Sequence, residues 1–213
     1  MRSLVLTVLF SFSSIVSAAA TPQLYPRDVP AALPHATTIQ YSGNGCPSSD
    51  PAVSKSGSWN DLTFRMNNYE VSLPGSDSTA NCEVHIQAAG CQAGWQVGIK
   101  DVYVKGHLVL DPGAVLNFFV TSFWSQDAAK TVTARGTLQN TGTTRLDQIT
   151  TAHATIPSTL IVWGPCSDAA GDIGILNVNF RTALVADGNQ YAYFGKGGDV
   201  AATESFGYVW RQC

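Results

Sequence analysis

Charged side chains are scarce in this sequence. Asp, Glu, Lys and Arg together make up 13% of it, about half the share usual in globular proteins. The 12 Lys+Arg are dispersed singly against 15 Asp+Glu. A polyanion-binding face needs clustered cations, so nucleic acid is set aside as a partner. No window carries a helical apolar stripe with caps, which argues against a helical fold. After the first twenty residues no apolar run approaches the ~20 residues a membrane-spanning helix needs, so no membrane partner is expected.

Several chemistries lack their motifs. There is no G-x-S-x-G elbow, no C-x-x-C or Cys/His cluster at zinc spacing, no D-x-[DN]-x-[DN]-G calcium loop and no N-x-[ST] glycosylation acceptor. Gly195-Lys196-Gly197-Gly198-Asp199 lacks the rest of a phosphate-loop pattern and is expected to be a turn. No metal and no cofactor is expected.

The sequence opens with a basic residue, Arg2, an apolar stretch from Leu4 to Val16 and a small-residue cleavage pattern, Val16-Ser17-Ala18 or Ala18-Ala19-Ala20. These are the parts of a secretory signal peptide, expected over residues 1–20. Pro22, Pro26, Pro30 and Pro34 then favour extended, poorly packed backbone, so residues 21–36 read as a linker or propeptide. Export places the five cysteines where thiols pair. One thiol is left over, and spacing alone leaves the pairing open.

From about residue 37 the pattern is one of strands and turns, rich in Thr, Ser and Asn with 19 Gly and 10 Pro in the whole chain. Leu62, Phe64 and Met66 alternate with polar neighbours, as do Cys82, Val84, Ile86 and Ala88. Trp95, Val97 and Ile99 are out of phase with Val102 and Val104, so a β-bulge is expected at Lys100-Asp101. Ala114–Trp124 is apolar on both faces and reads as the central, doubly covered strand. Further strands are expected near Lys130–Leu138, Arg145–Ala152, Thr159–Trp163, Gly174–Val185, Gln190–Phe194 and Glu204–Arg211. Asp187-Gly188 between two of them is a hairpin signal. The expected fold is all-β, a single-domain antiparallel β-sandwich over residues 37–213 stapled by disulfides, with a closed β-barrel as the alternative. Phe64, Ile86, Phe118, Val120, Leu176, Val178, Phe180 and Trp210 are expected in its core.

Candidate chemistry is sparse. His85, His107 and His153 are each available to a dispersed triad, and Asp101 and Asp111 to a carboxylate pair. Position offers a simpler reading for each: a solvent face for His85, strand ends for His107 and His153, turn or bulge positions for the two acids. Tyr191 and Tyr193 lie two residues apart, so in a strand both rings leave the same face, with Gln190 and Asn189 beside them. Flat aromatic rings flanked by amides form a possible ligand surface for a polysaccharide.

Tyr41-Ser42-Gly43-Asn44-Gly45-Cys46-Pro47, Asn81-Cys82, Trp163-Gly164-Pro165-Cys166 and the terminal Trp210-Arg211-Gln212-Cys213 form an ordered set. Together they resemble a family of small secreted proteins, common in fungi, known as domain of unknown function 4360. The resemblance implies a secreted fold and carries over Cys46, Cys82, Cys166 and Cys213 as framework cysteines. Within that framework the expected bridges are Cys166–Cys213, tying the last strand, and Cys46–Cys82, with Cys91 unpaired. The function expected is that of a secreted, non-catalytic fungal protein binding a cell-wall polysaccharide or a host or competitor surface protein. The competing expectation is a secreted hydrolase with a dispersed His/Asp site.

Overall fold

The computed structural model describes residues 29–48 and 52–213. The expected signal peptide and residues 21–28 of the expected linker lie outside the described residues. Two antiparallel sheets pack face to face, and neither closes into a barrel. The first has five strands in the order β1 (His35–Ser42), β5 (Thr79–Ala89), β10 (Ile175–Val185), β7 (Val115–Trp124) and β8 (Thr131–Gln139). The second runs β2 (Val53–Ser56), β3 (Thr63–Met66), β12 (Ala202–Gln212), β6 (Trp95–Leu110), β11 (Ala192–Gly195) and β4 (Val71–Leu73). Its seventh strand, β9 (Leu146–Thr155), pairs with the opposite edge of β6.

Period-2 alternation builds the interior. Val84 and Ile86 on β5, Leu116, Phe118 and Val120 on β7, and Leu176, Val178 and Phe180 on β10 turn inward from the first sheet. Phe64, Met66, Val102, Val104, Leu108, Phe206 and Trp210 meet them from the second. Each such side chain contributes about 1.5–3 kcal/mol by leaving water. The phase change on β6 is a bulge: Ile99 faces Tyr208 and Asp101 faces Gly207, which leaves Lys100 without an opposite residue.

Four expectations are corrected. The apolar strand β7 is second from the edge, and β10 holds the centre. Only one face of β7 is buried; Phe119 and Phe123 on the other are half-exposed among polar neighbours. The Asp187-Gly188 turn makes no hairpin, because β10 and β11 belong to different sheets. Gln190 explains the crossing: its side chain accepts from the Asp187 amide and donates to the Pro112 carbonyl, pinning the turn to the β6–β7 connection, which bridges the two sheets at that same end. Thr159–Trp163 forms no strand. A short 3-10 turn, Ser158–Leu160, opens it, and the segment then runs beside β6, where the Gly164 amide bonds to the Val97 carbonyl. Finally, the first sheet begins at His35, and the residues just before it are packed: Pro30 and Pro34 are buried, and Ala31 and Ala32 bond to Gln92.

Two disulfides staple the sandwich. Cys46–Cys82 ties the turn after β1 to β5, and Cys166–Cys213 ties the long loop after β9 to the end of β12. Cys91 is a buried free thiol whose pKa is raised by burial.

Candidate functional site

The structure places the two expected tyrosines close together but commits much of their surface. The Arg145 guanidinium lies 5.0 Å from the centre of the Tyr191 ring. The Tyr193 hydroxyl donates to the Lys196 carbonyl at 2.8 Å, and its ring packs against His107. Burial and the neighbouring Glu70 carboxylate push the Tyr193 phenol up to about 12. Gln190 is spent on the crossing turn, and Asn189 is exposed beside it. Asp111 accepts from Arg145 and from the Tyr191 amide, and these bonds hold its carboxyl below the usual range.

The histidines and acids pair across strands on open sheet surfaces. On the second sheet His107 Nε2 lies 2.7 Å from Asp147 Oδ1, and His153 Nε2 lies 2.9 Å from Asp101 Oδ1. Burial opposes ionisation of Asp101, but hydrogen bonds from Thr155 and His153 outweigh it and keep its carboxyl low. The Tyr103 ring stacks on His153 at 4.6 Å. His85 is on the first sheet and pairs with Asn177 instead. The three histidines and two acids therefore do not converge: His85, His107, the His153–Asp101 pair and Asp111 fall into four separate groups, each explained by its own neighbours.

The outer face of the five-stranded sheet was not singled out by sequence, and it carries the richest constellation. Register sets its rows. Gln40, His85, Asn177, Phe123 and Thr131 cross the sheet in one row, and Ser42, Glu83, Asn179, Thr121 and Thr133 in the next. A third row brings Asn81, Arg181, Phe119 and Arg135 together. The rungs are fastened to one another: His85 Nδ1 is 2.6 Å from Asn177 Oδ1, Asn179 Nδ2 donates to Glu83 at 3.1 Å, and Thr121 and Thr133 share a 2.8 Å bond. Arg181 lies over the Phe119 ring. Between the two Phe rings, about 13 Å apart along the strand, a shallow groove of about 400 Å³ runs past Thr121 and Asn179. The signal was present in the sequence as Asn177 and Asn179, two amides in phase on one strand, and as Phe119 and Phe123 in phase on another. It was missed because both faces of β7 look equally apolar in one dimension.

A larger cleft, about 680 Å³, opens at one end of the sandwich. Trp124, Lys130 and Asp127 line it from the β7–β8 end, and Leu160, Trp163, Gln96 and Arg211 from the other side. Inside the sandwich, Glu204 on β12 is buried with neither carboxylate oxygen hydrogen-bonded among the described residues. Burial pushes its carboxyl up to about 8. No group of three or more His, Cys, Asp or Glu side chains able to hold a metal ion occurs among the described residues.

Residues 34–213 match the profile of the family described as domain of unknown function, DUF4360. The chain belongs to that family. The DUF4360 match runs from just before β1 to the final cysteine, so both sheets, both disulfides and both surfaces fall inside it. No curated protein matches the chain. Among solved structures it is similar to a carbohydrate-binding module in complex with β-1,4-galactotriose, at 10% identity and a TM-score of 0.25 over 84% of this chain and 91% of that one. It is also similar to a carbohydrate-binding module of the β-sandwich superfamily, at 7% identity and a TM-score of 0.27 over 86% of this chain and 58% of that one. A third similarity is to the enzymatically active domain of a bacteriophage CBA120 tailspike protein, at 10% identity and a TM-score of 0.21 over 83% of this chain and 19% of that one. The reading of the surface rests on its own residues.

Proposed function

We propose that this DUF4360 chain is a secreted, non-catalytic fungal protein that binds a cell-wall polysaccharide across the outer face of its five-stranded sheet. The observation carrying the proposal is the polar row Ser42–Glu83–Asn179, in which Asn179 donates to Glu83, beside His85, which the buried Asn177 holds in place, flanked by the half-exposed rings of Phe123 and Phe119. A sugar ring presents hydroxyls, each both donor and acceptor, around a flatter C–H face. Amides, carboxylate and hydroxyls in rows match the first, and aromatic faces match the second. The rungs are held by their own bonds, so little side-chain freedom is lost on binding. The two disulfides and the expected signal peptide support an extracellular setting.

The test is co-sedimentation of mature protein with chitin, β-glucan and cellulose. Phe119→Ala/Phe123→Ala is expected to lose pelleting with the polymer that captures the parent while both still unfold cooperatively. Tyr191→Ala/Tyr193→Ala, on the opposite sheet, is the companion variant. If that pair abolishes pelleting and the Phe pair does not, the binding surface lies around Tyr191. If no polymer is bound, the protein-surface partner takes the place of the polysaccharide.

A further inference from the structure

The two sequence motifs that the proposed surface leaves unused, Trp163-Gly164-Pro165-Cys166 and Trp210-Arg211-Gln212-Cys213, meet in space. Cys166–Cys213 bonds them together, and three residues before one cysteine and two before the other stand Trp163 and Arg211. Arg211 lies over the Trp163 indole, its Cζ 4.3 Å from the ring centre. Its Nε donates to Gln96 Oε1 at 2.8 Å, and Gln96 in turn donates to the Gly164 carbonyl at 2.6 Å. The guanidinium is thus fixed by a stack, a hydrogen bond and a nearby covalent link, and it forms no salt bridge among the described residues. It lines the 680 Å³ cleft, a volume within the usual range for a small-ligand site.

The charge in the cleft is uneven. Lys130 and Asp127 pair with each other at 2.6 Å, which leaves Arg211 as the uncompensated charge among its lining residues. A planar fork held in one orientation is suited to bidentate contact with a carboxylate. Leu160, 58% exposed, is among the lining residues and offers an apolar contact to a ring carried by the same ligand, while Thr131 and Thr159 add hydroxyls.

We propose that this cleft is a second binding site, for a carboxylate-bearing sugar of the uronic acid class, with Arg211 as its anion-binding residue. The sugar ring rests on the carbohydrate-binding reading above; the carboxylate is argued from the cleft alone.

The experiment is calorimetric titration of the mature protein with a uronic acid trisaccharide and with its methyl ester, which keeps the ring and removes the charge. The acid is expected to bind and the ester to be weaker by roughly tenfold or more. Arg211→Gln should bind acid and ester equally weakly, and Arg211→Lys, which keeps charge without the fork, should recover only part of the preference. Phe119→Ala/Phe123→Ala removes the sheet-face rings and should keep the preference for acid over ester, so failure here and failure of the sheet-face reading are read separately. Equal binding of acid and ester, an acid preference that survives Arg211→Gln, or tighter binding of a glutamate-rich peptide than of the trisaccharide would overturn the proposal.

Discussion

At the scale of single residues, Glu204 is the conspicuous exception to the alternation that builds the core. It occupies an inward position on β12 between Ala202 and Phe206, among apolar side chains, and burial alone pushes its carboxyl up to about 8. The sign of the consequence follows from proton counting. Between the ordinary carboxyl value, 4.5, and about 8 the folded protein keeps a proton that the unfolded chain has released. Stability contributed by this group therefore falls as pH rises through that window and levels off above it. Glu204→Gln removes the titration. Denaturant unfolding at pH 5 and pH 8 should show the parent losing stability over that interval, on the order of a few kcal/mol, and the variant losing less. Equal losses would mean that Glu204 is not the buried acid responsible. The inward register of Val84, Ile86 and Val178 was legible because their neighbours alternate; Glu204 was passed over because polarity was read as a mark of the solvent face.

At the scale of elements, local rules and long-range ones separate. The bulge at Lys100-Asp101 was legible, since a slip of one residue reverses which side chains face inward. The fate of Asp187-Gly188 was not. Such a turn fixes a local reversal, but whether the next strand pairs with its predecessor or crosses to the other sheet is decided here by Gln190 and Asp111 reaching groups far away in sequence. The same reasoning explains β7: its pattern shows apolar residues on both faces, while its neighbours β10 and β8 supply the Asn, Arg and Thr side chains that make one of those faces wet. The last element is held from outside the sheet by Cys166–Cys213, which closes a loop with sequence separation 47. Cys166→Ser/Cys213→Ser is expected to cost about 2–4 kcal/mol in denaturant unfolding. A midpoint unchanged from the parent would show that sheet pairing alone secures the end of β12.

At the scale of the whole molecule, the sequence made the architecture readable and the binding surface only partly so. Alternation, turns and cysteines are one-dimensional signals, and they lead to a stapled sandwich. A surface built from rows depends on which strands become neighbours: Asn177 meets His85 and Phe123 only because β10 lies between β5 and β7. Tyr191 and Tyr193 were visible because they are close in sequence, whereas Phe119, Asn179 and Glu83 come together only through register. The proposal that this face takes a polysaccharide is tested most directly by amide chemical-shift mapping of the labelled mature protein with chitin-derived and β-glucan-derived tetrasaccharides. Shifts concentrated on β5, β10 and β7 around Glu83, Asn179 and Phe123 are the expected result. Shifts confined to β11 and the Tyr191 turn, or none with either saccharide, would contradict it.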